Sequence, residues 1–222
     1  MTASLPIALL TPMANPTVER EMRKLLPASC DYLVGRLVGA QGDSAARLRY
    51  YAERLDSALA QFGGMEITAV AFACTASSYL IGRGAEDSIA EELRHPVLWA
   101  ARCIAARLSA MGATKIAVIS PYPQAIHDAG LEYWRASGFE IVHDNRLDTG
   151  SSDTRAIYGL STDTAVEFIA EAKQAQVDAI LLSGTGMPTL DLIEPEAETP
   201  VISSNYCLAH AMIALEASPP TE

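Results

Sequence analysis

Segments of this chain recur in order at a nearly constant offset, and that recurrence limits its architecture most. Residues 7–12 read IALLTP, and residues 116–121, 109 positions later, read IAVISP. Residues 69–75 read AVAFACT, and residues 179–185, 110 positions later, read AILLSGT. Each is a short apolar run with β-branched residues that stops in small residues or proline, the pattern of a buried strand entering a loop. In a third pair, Pro96-Val97-Leu98 and Pro200-Val201-Ile202 lie 104 positions apart, and each leads into an alanine-rich helix. Apolar strands resemble one another, so a single pair would say little. Three pairs in the same order point to two similar halves.

Helical patterns separate these strands. They cover residues 44–62, closed by Gly63-Gly64, then 86–94, 99–111, 124–137, 162–174 and 205–216. Strands are expected at about 7–10, 32–38, 67–73, 115–120, 139–143, 178–183 and 200–202. Such alternation means parallel strands joined by crossover helices. The expected fold is α/β, with two pseudo-symmetric three-layer α/β/α halves, parallel sheets and an active-site cleft between them. The halves are residues 1–111 and 112–222, joined near Gly112.

Composition narrows the function classes. Half of the 222 residues are hydrophobic and 19 % are charged, which suits a packed core. A formal net charge of −11 disfavours a nucleic-acid binder. The N-terminus lacks a basic segment followed by a long apolar one, and no run of about 18 apolar residues occurs, so a cytoplasmic protein is expected. Cys30, Cys74, Cys103 and Cys207 are widely spaced without CxxC, which suggests neither a zinc site nor a disulfide framework. His95, His127, His143 and His210 are scattered, and none adjoins Cys74 in sequence.

In open α/β sheets ligands bind beyond the carboxyl ends of the strands. The repeat puts four loops there: 11–17, 74–80, 120–124 and 184–189. A pseudo-two-fold would set the first two against the second two across a cleft. Cys74, Thr75 and Ala76 bring a thiol, a hydroxyl and backbone N–H groups. Gly184, Thr185 and Gly186 bring small residues and backbone donors. Such turns can cradle a carboxylate or a developing enolate. They also serve simply as tight strand-to-helix turns, and composition alone does not choose between the two.

Five segments carry a resemblance. TPMANPTVERE (11–21), FACTASSYLIG (72–82), SPY (120–122), LLSGTGMPTLDLI (181–193) and PVISSN (200–205) resemble the maleate isomerase and arylmalonate decarboxylase branch of the aspartate/glutamate racemase superfamily. The resemblance implies a cofactor-free enzyme with up to two cysteines, one from each half, on opposite faces of a small acid. Racemases use both as acid and base. Maleate isomerases use the first as a nucleophile, and arylmalonate decarboxylases keep only the second as a proton donor. Cys74 matches the first position, and the second falls on Gly184. Asn15 resembles a substrate-binding asparagine of maleate isomerases. Tyr122 matches a tyrosine that contacts the substrate carboxylate. A further isomerase asparagine has no clear match, and Arg155 lies near its place. The resemblance also allows a homo-oligomer.

A two-base racemase needs a proton-transfer group on each face of the stereocentre, so Gly184 opposite Cys74 disfavours racemisation. Two reactions remain. The Cys74 thiolate can add reversibly to an alkene such as maleate. Alternatively, a malonate-type acid loses CO₂ and Cys74 protonates the enediolate from one face. The setting of Asn15 tips the reading towards the isomerase, acting on a small dicarboxylate without cofactor or metal. Cys207, just after Asn205, is expected to be an ordinary buried helix thiol. A small-acid binding protein without catalysis also fits two α/β halves, although no signal peptide is visible. A nucleotide binder is disfavoured, because Pro12 and Pro16 stand where a GxGxxG loop would.

Overall fold

The computed structural model describes residues 5–39, 42–93 and 95–217. Arg94, the expected end of one helix, lies outside the described residues, as do both chain ends. Two parallel four-stranded sheets flanked by helices form the molecule. In the first, β1 (Ile7–Pro12), β2 (Tyr32–Leu37), β3 (Val70–Phe72) and β4 (Val97–Trp99) lie in the order β2-β1-β3-β4. In the second, β5 (Lys115–Ser120), β6 (Glu140–Arg146), β7 (Ala179–Leu182) and β8 (Val201–Ser203) lie in the order β6-β5-β7-β8. The two orders are the same, as the repeat requires. β1, β3 and β7 are buried along their whole length, the expected state of parallel strands covered on both faces. β4 is a strand that the sequence pattern offers only as a repeat pair. Its Phe72↔Trp99 pairing with β3 brings the two rings to 4.9 Å, edge to face.

Several helices differ from expectation. α1 (Thr17–Leu25) was not anticipated. It follows Pro16, and the Asn15 Oδ1 accepts from the N–H groups of Thr17 at 2.9 Å and Val18 at 3.3 Å, satisfying donors that a helix start leaves free. The expected helix 44–62 is three pieces. α2 (Ser44–Glu53), capped by the Asp43 side chain, ends at Arg54, whose ψ of 36° leaves the helical range. α3 (Leu55–Leu59) and a 3₁₀ turn (Ala60–Phe62) follow, closed by Gly63 at φ +61°.

The expected loop 74–80 is largely helix, because α4 (Thr75–Leu93) begins directly after Cys74. Small hydroxyl residues normally favour loops, but Thr75, Ser77 and Ser78 are fully buried here, so tertiary packing overrides their propensity. α4 breaks at Gly82, where φ is +76°. The break divides it into two helical pieces, and the second, which begins a few residues before Glu86, is the separate helix expected there. α5 (Ala100–Ala110), α6 (Gln124–Ala136), α7 (Val166–Lys173) and α8 (Ser204–Ala217) fall within a few residues of expectation, α7 being preceded by a 3₁₀ turn at Thr162–Ala165. A further 3₁₀ segment, Thr154–Gly159, lies between β6 and α7. α4 packs on α6 and α5 on α8, so the halves share a helical interface. Among the described residues no helix is long and apolar enough to cross a membrane.

Candidate active site

The site is built where β1, β3, β5 and β7 end. Ala73 continues β3 by donating its N–H to the Leu10 carbonyl at 2.8 Å, and this delivers Cys74 to the base of α4. There the Cys74 thiol faces the first helical turn. Ser77 Oγ donates to Cys74 Sγ at 3.2 Å. The backbone N–H groups of Ser77 and Ala76 also favour its ionised form. Burial pushes the Cys74 thiol above its ordinary range, while those donors and the Arg47 guanidinium pull it back. A helix N-terminus is where a thiolate is stabilised. The thiol is therefore kept protonated by burial and supported when it ionises.

Hydrogen bonds between the halves fix the surrounding loops. Thr17 Oγ1 donates to the Gly186 carbonyl at 2.8 Å. Thr185 Oγ1 donates to the Ala73 carbonyl at 2.9 Å and accepts from Asn15 Nδ2 at 3.5 Å. Thr75 Oγ1 and the Tyr122 hydroxyl lie 2.7 Å apart. Thus the loops after β1 and β3 do face those after β5 and β7. All five of these polar side chains are buried, so each interaction works at low local dielectric.

A cavity of about 40 Å³ opens beside Cys74. Of the residues singled out from sequence, Asn15, Cys74, Ala76, Tyr122, Arg155, Thr185 and Gly186 line it. Thr75 and Gly184 stand behind this lining. Thr75 holds the Tyr122 hydroxyl, and the Gly184 N–H donates to Ser204 Oγ at 2.9 Å. Gly184 has φ +122°, and a Cβ there would come within 3.1 Å of Pro121 Cδ. The backbone at the second cysteine position is thus shaped for glycine. Cys207 is buried on α8, outside the lining, with its thiol pushed up by burial.

Sequence reasoning missed Arg47, Tyr51 and Tyr158, which complete the wall. Arg47 lies four residues before Tyr51 and eight before Leu55, on the buried stripe of α2 and α3. A cation on a buried stripe was the available signal. Tyr158 comes from the 3₁₀ segment, where no periodicity marks it. Its ring crosses Gly186 so closely that a Cβ there would lie 2.7 Å from Tyr158 Cε1. Among the described residues no group of three or more His, Cys, Asp or Glu is placed to hold a metal.

The family model for arylmalonate decarboxylase matches residues 8–221. The chain belongs to the arylmalonate decarboxylase family. Within this family and its surroundings, the chain is 22 % identical over 240 residues to a maleate isomerase of Pseudomonas putida, covering 99 % of this chain and 95 % of that one. Its fold matches a cysteine-to-serine variant of Nocardia farcinica maleate cis-trans isomerase that carries a covalently bound succinylcysteine intermediate. The TM-score is 0.82 at 21 % identity, over 97 % of this chain and 94 % of that one. It also matches a variant of arylmalonate decarboxylase in which one glycine is exchanged for cysteine and one cysteine for serine, with a TM-score of 0.80 at 19 % identity, over 98 % and 94 % of the two chains. Membership in the family thus agrees with a fold shared with the maleate isomerases of the same superfamily.

Proposed function

We propose that the chain is a cofactor-independent cis–trans isomerase of a small, maleate-type dicarboxylic acid, with Cys74 as its nucleophile and residues 1–111 and 112–222 as its two halves. The Cys74 thiolate adds to one alkene carbon, and the π electron pair moves onto the neighbouring carboxylate as an enediolate. The former double bond is now single and rotates. Collapse of the enediolate expels the thiolate and leaves the trans acid, with no net proton transferred. Tyr122 and Asn15, with the backbone N–H groups around Gly186, are the donors suited to the carboxylate that bears this charge, while Thr185, whose hydroxyl proton goes to the Ala73 carbonyl, holds Asn15 in place.

The observation that carries this reading is the Cys74 thiol, set on the first turn of α4 and facing a cavity of only about 40 Å³. Beside its tyrosines the wall carries Asn15, Arg47 and Arg155, polar partners that suit the two carboxylates of a small diacid better than an aryl group. The succinylcysteine of the Nocardia enzyme is the adduct expected when such a thiol adds to maleate, which supports the same chemistry here.

A second reading is favoured by Gly184. With a thiol on one face only, Cys74 is suited to protonate the enediolate left by decarboxylation of a malonate-type acid. Incubation with maleate and with phenylmalonate, each followed by NMR, separates the two. Fumarate formation supports isomerisation. Loss of CO₂ from phenylmalonate with no fumarate formed rejects it in favour of the decarboxylase.

A further inference from the structure

The wall of the cleft contains a largely covered cation that the chemistry of Cys74 alone does not require. Arg47 projects from α2 with its side chain only 13 % exposed. Its Nη2 donates to Asp153 Oδ1 at 2.9 Å, to Thr154 Oγ1 at 3.1 Å and to Ser44 Oγ at 3.2 Å. Ser44 Oγ also accepts from the Thr154 N–H and donates to the Ser152 carbonyl, both at 3.1 Å, so the start of α2 is tied to the opposite half. A guanidinium carries five N–H donors in a planar fork. Among the described residues, every hydrogen bond of Arg47 uses Nη2, and none uses Nη1 or Nε. Guanidinium donors left without a protein partner in a cleft are free to pair with an anion. Arg47 lines the same cavity as Cys74 and is close enough to stabilise its thiolate.

Asp153 is shared. It also pairs with Arg155, whose side chain is 56 % exposed at the mouth of the cleft. Two guanidinium groups against one carboxylate leave net positive charge at this end of the cavity, in a chain whose formal charge is −11.

We propose that Arg47 receives the second acid group of the substrate, the one farther from the reacting carbon, and so selects diacids over monoacids, with Asp153 as the charge that moderates its affinity. This rests on the reading of the site as one for a small dicarboxylate. A planar fork matches a carboxylate at two points, where a lysine would offer a single point charge. Asp153 keeps Arg47 in place, and its negative charge repels the incoming acid.

The test is equilibrium binding, by titration calorimetry, of succinate and butyrate, which have the same carbon count and no double bond to react. The wild-type protein is expected to prefer succinate. In R47M, succinate should weaken about 10- to 100-fold while butyrate changes by less than about 3-fold. R47K should fall between the two. D153N keeps an acceptor for Nη2 but removes the opposing charge, so succinate should bind more tightly, whereas loss of a purely structural contact would weaken it. If R47M does not fold, R47K and D153N decide. A folded R47M that keeps the wild-type preference overturns the assignment, and so does a D153N protein that binds succinate more weakly. If the wild-type protein prefers succinate but Arg47 is irrelevant, the diacid reading survives alone. If it binds neither acid, the diacid reading fails and the assignment falls with it.

Discussion

Ser77 Oγ donates to Cys74 Sγ at 3.2 Å, and through this contact the first turn of α4 acts on the sulfur at the cavity wall. Burial raises the Cys74 pKa, and the Ser77 hydroxyl is the largest influence that lowers it. Removing the hydroxyl in Ser77→Ala therefore moves the thiol further up. A hydrogen bond to a charged group corresponds to about 1–2 pKa units, so alkylation of Cys74 by iodoacetamide at pH 8 should slow about 10- to 100-fold. The pH–rate curve should shift to higher pH. Peptide mass mapping of the alkylated residue checks both, and an unchanged curve would show that the hydroxyl does not support the thiolate.

Replacing Gly184 by cysteine should not create a two-base racemase. The new Cβ would meet Pro121 Cδ at 3.1 Å, on a backbone with φ +122° that side chains rarely adopt. Strain of this kind costs about 1–3 kcal/mol. Gly184→Cys is thus expected to lose that much stability in urea unfolding and to give no α-proton exchange on aspartate or glutamate by NMR. Exchange in a protein of wild-type stability would refute it.

The two-half architecture was legible because buried parallel strands leave apolar runs, and the repeat supplied them in matching order. β4 was legible only as one member of a pair, since three residues are too few to show a period. α1 was not legible, because its buried apolar residues, Val18 and Met22, sit among charges directly after a proline. At the site, Cys74 could be found because it follows a predicted strand, and Asn15 and Tyr122 through the family resemblance of the loops that carry them. Arg47 and Tyr158 could not be placed that way. One rides on a helix whose stripe reads as core, and the other belongs to a 3₁₀ segment whose path depends on contacts with the opposite half.

Tyr122 is expected to contribute more to turnover than to folding. Its hydroxyl lies 2.7 Å from Thr75 Oγ1, with both residues buried. Tyr122→Phe strands the threonine hydroxyl, at a cost of about 1–3 kcal/mol. If the phenol also donates to the reacting carboxylate, kcat should fall by about 10²- to 10³-fold. Thr75→Val breaks the same bond but leaves the phenol in the cavity, so it should lose similar stability and much less turnover. Equal losses of kcat in the two variants would reduce Tyr122 to a packing role.

Alkaline pH should destabilise the fold through buried thiols, and Cys103 is the clearest instance. Burial on α5, reinforced by Glu86, pushes its thiol from 9.0 up to about 12. Between those values the unfolded chain releases this proton and the folded chain keeps it, so unfolding is favoured as pH rises. The stability tied to this thiol is fully present below about pH 9 and is lost above it, by about 1.4 kcal/mol per pH unit for a single group until the folded thiol also ionises. Cys103→Ala removes this dependence, while the packing it loses does not vary with pH. The stability gap between wild type and Cys103→Ala, measured by urea unfolding, should therefore narrow between pH 7.5 and pH 10 by about 1 kcal/mol. The other buried cysteines are common to both proteins and cancel in the difference. A constant gap would mean that the Cys103 thiol ionises as readily in the folded chain as in the unfolded one.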